Sequence, residues 1–241
     1  MIPSGEFFDL ERKDHIARYV FASRFAQNAI ILDVGCGAAY GLDFLSKTSK
    51  LAVGVDASST AVSFARHRYG RDFELCNQDA CALAFQDEIF DVVISFEVIE
   101  HLKDVEIFLA NVNRVLKPEG LFIVSTPNKI YMSPGRRSPI WKWHQQEFYY
   151  SEFQSLLKRY FESVDLLGET VSNPNWQKRL QRVRRLHRLL TFVPTRVLTL
   201  VPLWIVNTVI RPPPGVRLED VKISNLDVEN AETFIGVARK C

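Results

Sequence analysis

The stretch Asp33-Val34-Gly35-Cys36-Gly37-Ala38-Ala39-Tyr40-Gly41 has residue types and a spacing suited to holding a ligand. Its glycines let the backbone turn tightly and approach a bound group that a Cβ would repel. The spacing departs from the G-x-G-x-x-G dinucleotide fingerprint, because position 40 is Tyr and the third glycine falls one residue later. Asp33 stands two residues before the first glycine. A carboxylate there opposes a pyrophosphate and suits a ligand carrying a cationic group, directly or through water. Two further acids fit the same crevice. Asp56 ends the next apolar run, where a carboxylate accepts from both hydroxyls of a ribose, and Asp79, within Asn77-Gln78-Asp79-Ala80, is placed to accept from an adenine amino group. Any one of these acids reads as well as a helix cap or turn residue; three at successive strand ends favour one shared site.

The elements that position them alternate. Apolar runs predict strands over 29–34, 51–55, 73–76, 90–96, 121–125 and 164–167, with helices over 9–25, 40–47, 58–69, 104–116 and from 151 onward. Ser58 or Ser59 is expected to cap the third helix and Asp104 the fourth, while Lys117-Pro118-Glu119-Gly120 stops that one. Ser151 with Gln154 has the capping-box pattern. Alternating β and α elements imply a doubly wound α/β sheet, mainly parallel and covered on both faces. Phe234-Ile235-Gly236-Val237-Ala238 reads as a last strand rejoining that sheet, so residues 170–218 form an insertion. The expected organisation is an N-terminal cap helix over 1–28 and one domain over 29–241 containing the insertion.

With these pieces in place the chain resembles the class I S-adenosylmethionine-dependent methyltransferases, in the branch called type 11. The resemblance spans about residues 5–168 and rests on Ile31-Leu32-Asp33-Val34-Gly35-Cys36-Gly37, Val53-Gly54-Val55-Asp56, Phe90 through Leu102, Arg114-Val115-Leu116-Lys117-Pro118-Glu119-Gly120 and Ser125-Thr126-Pro127-Asn128. It implies a Rossmann-like sheet of seven strands with the final one inserted antiparallel, and S-adenosylmethionine as cofactor. The cofactor positions it implies are Asp33, Gly35, Cys36, Gly37, Asp56, Ala57, Asp79, Ala80 and Ser95, with Arg18 and Tyr19 from the first helix. One departure is Ala38-Ala39, which stands where the family has small polar residues or glycine. Asp14 through Ala22, His144-Gln145-Gln146-Glu147-Phe148 and Leu156 through Phe161 look like methyltransferases of cell-surface polysaccharide and O-antigen pathways.

The sulfonium of such a cofactor is already electrophilic, so the protein must align an acceptor, exclude water and take a proton from a hydroxyl. Glu97-Val98-Ile99-Glu100-His101 follows the fourth strand and is expected to face the transferred methyl group. His101 is the first general-base candidate, His144 the second, and Glu97 the accompanying acid. The competing readings are structural: Glu97 and Glu100 as helix-starting residues, His101 as a loop-ordering side chain, Trp141 and Trp143 as packing. The site is read here without a metal. The alternative is a divalent ion held by Glu97, Glu100, His101 and His144, because Glu97-x-x-Glu100-His101 also resembles the metal motif of small-RNA 2′-O-methyltransferases and a like motif in ubiquinone-pathway enzymes.

No acidic residue occurs from Thr170 to Leu218, while Lys178, Arg179, Arg182, Arg184, Arg185 and Arg188 cluster there, followed by an apolar run at 197–210. Three readings compete: an in-plane membrane anchor over about 176–210, an RNA-binding patch, or a lid with solvated arginines. The net charge of +2 over 241 residues disfavours a nucleic-acid partner. Four cysteines without a disulfide or metal spacing fit a reducing compartment, and the start lacks a signal-peptide pattern. Expected, then, is a cytoplasmic enzyme, peripheral at most to the inner face of the membrane. Its leading acceptor is a sugar or other small hydroxyl compound of surface-glycan synthesis, whether soluble, glycan-borne or lipid-linked. The alternatives are a quinone-type phenol, an RNA 2′-hydroxyl, or a non-catalytic partner that only binds cofactor.

Overall fold

Five runs pair in parallel as one half of the sheet: β1 (Ile30–Val34), β2 (Leu51–Asp56), β3 (Glu74–Asn77), β4 (Phe90–Phe96) and β5 (Leu116–Pro127), in the order β3-β2-β1-β4-β5. Strands covered on both faces are apolar throughout, which is why they stand out in the sequence. The helices α2 (Tyr40–Ser46), α3 (Ser59–Tyr69) and α4 (Val105–Val115) provide the crossovers and cover. In α4 the buried residues Val105, Phe108, Leu109, Val112 and Val115 recur at helical spacing and pack on one face of the sheet. On the other face lie Leu42 and Leu45 of α2, Val62 and Ala65 of α3, and Tyr19, Phe21, Ala22 and Ala26 of α1 (Phe7–Ala26). Strand order reverses between β1 and β4, so the loops after β1, β2, β3 and β4 meet in one crevice.

The computed structural model describes residues 7–70, 72–190 and 218–241. The apolar run at 197–210 lies outside the described residues, and with it most of the expected membrane anchor. Within them, no helix is long and apolar enough to cross a membrane.

The second half of the sheet is antiparallel. β8 (Thr233–Arg239) inserts between β5 and β6 (Ser163–Val171), as its separated position in the sequence implied. β7 (Val221–Ser224) adds an eighth strand at the edge, paired with β6. The expected count was seven; four residues after Glu219 and Asp220 are too few to display a strand period. Two caps also differ from expectation. α6 (Tyr150–Leu157) starts before Ser151, because the Glu152 carboxylate reaches back to accept from the Tyr149 N–H at 2.9 Å. Asp104 occupies the N-cap position of α4, yet its side chain makes no capping bond. Ser58 does cap α3, its Oγ accepting from the Ala61 N–H at 3.2 Å. Residues 117–120 belong to β5, with an irregular register opposite Phe90 and Val92, so they bulge the strand instead of standing outside it.

One short helix and one long helix close over the crevice. α5 (Lys129–Met132) and α7 (Pro174–Leu190) share a small apolar cluster of Tyr131, Val171, Trp176, Leu180 and Val183.

Candidate active site

The loop after β1 is held by backbone and by one carboxylate. Gly35 and Gly37 have φ of 78° and 53°, in the left-handed region that glycine enters without strain. The N–H groups of Gly35 and Cys36 both donate to the Val55 carbonyl, at 2.8 and 3.0 Å. Asp56 then splints the turn: Oδ2 accepts from the Gly37 N–H and Oδ1 from the Ser58 N–H, each at 2.8 Å. A Cβ built on Gly37 meets nothing within 4 Å, so the space beside this turn is open. On Gly35 a Cβ would fall 2.3 Å from Val98 Cγ2, which makes the acidic segment after β4 a direct neighbour of the loop. Gly41 has another reason. A Cβ there would lie 2.1 Å from the Tyr19 ring, so this third glycine makes room for α1 rather than for a ligand.

Tyr19 is set edge-on to Tyr40 and Phe96, with centroids 5.9 and 5.1 Å away, and its hydroxyl donates to Asp33 Oδ2 at 2.9 Å. Asp33 is buried, and its Oδ1 has no hydrogen-bond partner among the described residues. Burial pushes the Asp33 carboxyl up to about 7, against the pull of the Tyr19 hydrogen bond. A buried acceptor without a partner beside an open left-handed glycine is what a cationic ligand at this loop requires.

The remaining cofactor candidates separate. Ala57 and Asp79 are exposed near the same strand ends, Ala80 is buried, and Asp79 Oδ1 accepts from the Cys81 N–H at 2.8 Å. Cys36 is buried, and desolvation raises its thiol pKa, with Asp33 and Asp56 adding to the shift. The Ser95 hydroxyl lies inside the sheet and donates to the Val34 carbonyl at 3.0 Å, so it is turned to structure and away from the crevice. Arg18 is placed on a different wall. Its guanidinium forks onto buried Glu169 at 2.8 and 2.9 Å and reaches Glu97 Oε1 at 3.3 Å.

Glu97 begins the acidic segment with φ 56°, a conformation costing a non-glycine residue roughly 1 kcal/mol. Its N–H is held by the carbonyl and hydroxyl of Ser125, and the Ser125 hydroxyl donates to Glu97 Oε1 at 2.7 Å. Glu100 is buried, with the Thr126 hydroxyl donating to it at 3.1 Å. Burial first, and the Glu97 charge second, raise the Glu100 carboxyl well above the usual carboxylate range. The Glu100 carbonyl accepts from the Gln145 and Gln146 N–H groups at 2.8 and 3.2 Å, docking residues 141–147 over the crevice.

That docking brings the two imidazoles together. His101 Nδ1 donates to the Trp143 carbonyl at 3.1 Å, His144 Nδ1 pairs with Glu147 Oε1 at 2.9 Å, and the rings meet edge to face at 5.0 Å. A carbonyl can only accept, so neutral His101 carries its proton on Nδ1 and leaves Nε2, 4.0 Å from Glu100 Oε1, as the unprotonated nitrogen. Glu100, His101 and His144 offer ligand atoms within 4.8 Å of one another, a geometry compatible with a metal ion. All three, with Glu97, line a cavity of about 370 Å³ walled on the apolar side by Trp141, Trp176, Leu180 and Val183. A roomier groove of about 610 Å³ runs along Lys103, Glu106 and Arg159, but apart from Glu147 it meets none of this chemistry.

His101, Glu97 and His144 are thus in one place. The sequence reading missed four neighbours. His15 lines the same cavity, and burial with the Arg18 charge holds its pKa down to about 4, so it is neutral near pH 7. Glu147 stands behind His144, three residues along in a segment already singled out. Thr126 belongs to a motif recognised for other reasons, and Glu169 gave no signal, being 151 residues from its partner Arg18.

Known proteins resemble this chain in sequence and in fold. Residues 32–124 match a family described as a methyltransferase domain. A probable S-adenosylmethionine-dependent methyltransferase of Mycolicibacterium smegmatis is 39% identical over 139 residues, covering 57% of this chain and 54% of that one. A ubiquinone biosynthesis O-methyltransferase of Chelativorans sp. is 34% identical over 124 residues, covering 50% and 49%. The chain spans about half the length of the curated relatives it matches. Among solved structures, an S-adenosylmethionine-dependent methyltransferase of Thermotoga maritima superposes with a TM-score of 0.62 over 98% of both chains, at 18% identity. The chain therefore has the Rossmann-like class I methyltransferase fold; its residues 32–124 match a methyltransferase domain, and the cofactor that this match and this fold imply is S-adenosylmethionine.

Proposed function

We propose that the protein transfers a methyl group from S-adenosylmethionine to a hydroxyl oxygen of a small acceptor bound in the cavity beside Glu97, Glu100, His101 and His144. The observation that carries this reading is adjacency: Val98 packs on Gly35, so the acid–imidazole cluster begins where the glycine loop ends. The loop and Asp33 would hold the methionine end, Asp56 the ribose and Asp79 the adenine. When bound, the cofactor supplies an electrophilic methyl group on a sulfonium. His101 Nε2 takes the proton from the acceptor hydroxyl, and His144, fixed by Glu147, sits beside it. Glu97 and Arg18 orient the acceptor's polar edge, while Trp141, Trp176, Leu180 and Val183 exclude water.

The leading acceptor is a sugar hydroxyl in cell-surface glycan synthesis, supported by the tryptophans Trp141 and Trp176 and the carboxylates Glu97 and Glu100 lining one cavity. A quinone-type phenol is the second reading, supported by the apolar wall and by the likeness to the ubiquinone-pathway enzyme. In either case a divalent ion on Glu100, His101 and His144 has support from the cluster and from the anchored Nδ1 atoms, which leave both Nε2 atoms for a metal. Calorimetry with S-adenosylmethionine tests the base of the reading. Asp56→Ala is expected to lose at least about tenfold in affinity, the scale of one charge-assisted hydrogen bond. An unchanged affinity refutes the assignment. Activity that survives excess chelator assigns proton removal to the imidazoles alone, whereas loss reversed by a divalent ion assigns it to the metal.

A further inference from the structure

One helix walls the cavity with one face and presents an unusual surface with the other. On α7, Trp176, Leu180 and Val183 are buried against the cavity, and half-buried His187 continues that line, its Nδ1 accepting from the Gly135 N–H at 3.0 Å. At 100° per residue the opposite line is Lys178, Arg182, Arg185, Leu186 and Leu189, all exposed. Leu186 and Leu189 are 42% and 68% exposed, among three cations and with no acid on the helix.

We propose that this outer face of α7 seats on an anionic lipid surface, so that the cavity behind it takes a hydroxyl acceptor carried by a membrane lipid. Charge complementarity is the first argument. The whole chain nearly balances, with 30 Lys and Arg against 28 Asp and Glu, yet from Thr170 to Leu218 it has no acid at all. The positive charge is thus concentrated on this segment and is not a property of the surface in general. The exposed leucines are the second argument. Cations alone would suit a nucleic-acid backbone, but apolar side chains interleaved with them on one helical face suit the boundary between headgroups and acyl chains. The third argument is position. Trp176, Leu180 and Val183 wall the same cavity that His101 lines, so seating the opposite face of α7 on lipid brings that cavity to the bilayer that carries the acceptor's anchor. The acceptor part of this inference rests on the methyl-transfer reading above; the docking part does not.

The test is co-sedimentation of the full chain with phosphatidylcholine vesicles, with and without phosphatidylglycerol. Wild type is expected to bind only the anionic vesicles. Lys178→Gln/Arg182→Gln/Arg185→Gln should weaken that binding on the order of 100-fold, from three cations near a charged surface. Leu186→Ser/Leu189→Ser should weaken it by about tenfold with the salt dependence retained. Calorimetry with S-adenosylmethionine accompanies each variant; affinity equal to wild type shows that the fold is intact. Absence of wild-type binding, equal binding by both variants, or tighter binding to single-stranded RNA than to vesicles overturns the proposal. Loss of cofactor binding in wild type with vesicle binding retained strikes the methyl-transfer reading and leaves the docking surface standing.

Discussion

Asn in place of Asp33 should stabilise the unliganded protein at alkaline pH and weaken its hold on the cofactor. Asp33 is buried with one oxygen on the Tyr19 hydroxyl and the other without a partner, and its carboxyl is pushed up to about 7. In the unfolded chain the same group has a pKa of roughly 4, so the folded state binds the extra proton between those values. The sign follows: a raised carboxyl favours folding at low pH, and that contribution is lost as pH rises toward about 7. Between about pH 5.5 and pH 8 the loss covers roughly one and a half pH units at about 1.4 kcal/mol each, or about 2 kcal/mol. Asn has no such loss. Its amide keeps an acceptor for Tyr19 and leaves a buried N–H₂ in place of Oδ1, a cost of about 1–3 kcal/mol that does not change with pH. Urea denaturation of both proteins at the two pH values isolates the titrating part. Wild type should lose about 2 kcal/mol more than Asp33→Asn on going to pH 8. Calorimetry completes the test: S-adenosylmethionine affinity in wild type should rise as pH climbs toward about 7 and then level, and in Asp33→Asn should be weak and flat. Parallel stability curves for the two proteins would refute the reasoning.

Two other substitutions probe the acceptor side. Arg18→Met removes the fork from buried Glu169, leaving a carboxylate whose burial already raises its pKa; a loss of about 3–5 kcal/mol by urea denaturation is expected, partly regained on acidification as Glu169 takes up a proton. Glu147→Ala frees the His144 ring; kcat should fall about 10- to 100-fold with cofactor affinity unchanged, and Glu147→Gln, which keeps an acceptor near Nδ1, should retain more activity than Ala.

The parallel half of the fold is legible because its strands are buried on both faces and its helices carry their own spacing, as in α4. β7 was not, since an edge strand of four residues shows neither signal. The cap at Tyr149 escaped for a related reason: the residue that decides it, Glu152, acts on a backbone N–H, and Tyr is no capping type. In the site, Asp33 and Asp56 were readable because strand ends converge in any such sheet. Their immediate work was not. Asp56 splints the loop through Gly37 and Ser58, and Gly41 serves the Tyr19 ring, both of which are tertiary contacts. Arg18 was drawn to the cofactor by resemblance, whereas its fork to Glu169 joins residues 151 apart.

The place of β8 has a consequence for how the protein comes to exist. Latest of the strands in sequence, it lies between β5 and β6, so each of those neighbours keeps one edge unpaired until residues 233–239 have been made. Throughout synthesis the open edge of β5 and the pair β6–β7 wait as unpaired backbone, beside apolar faces that include Phe122 and Leu166. Pairing so distant in sequence is slow to form and exposed to association with other chains meanwhile. The cavity lined by Glu97, Glu100, His101 and His144 is last of all, because Thr233 and Glu232, which complete its wall, arrive with the strand that closes the sheet.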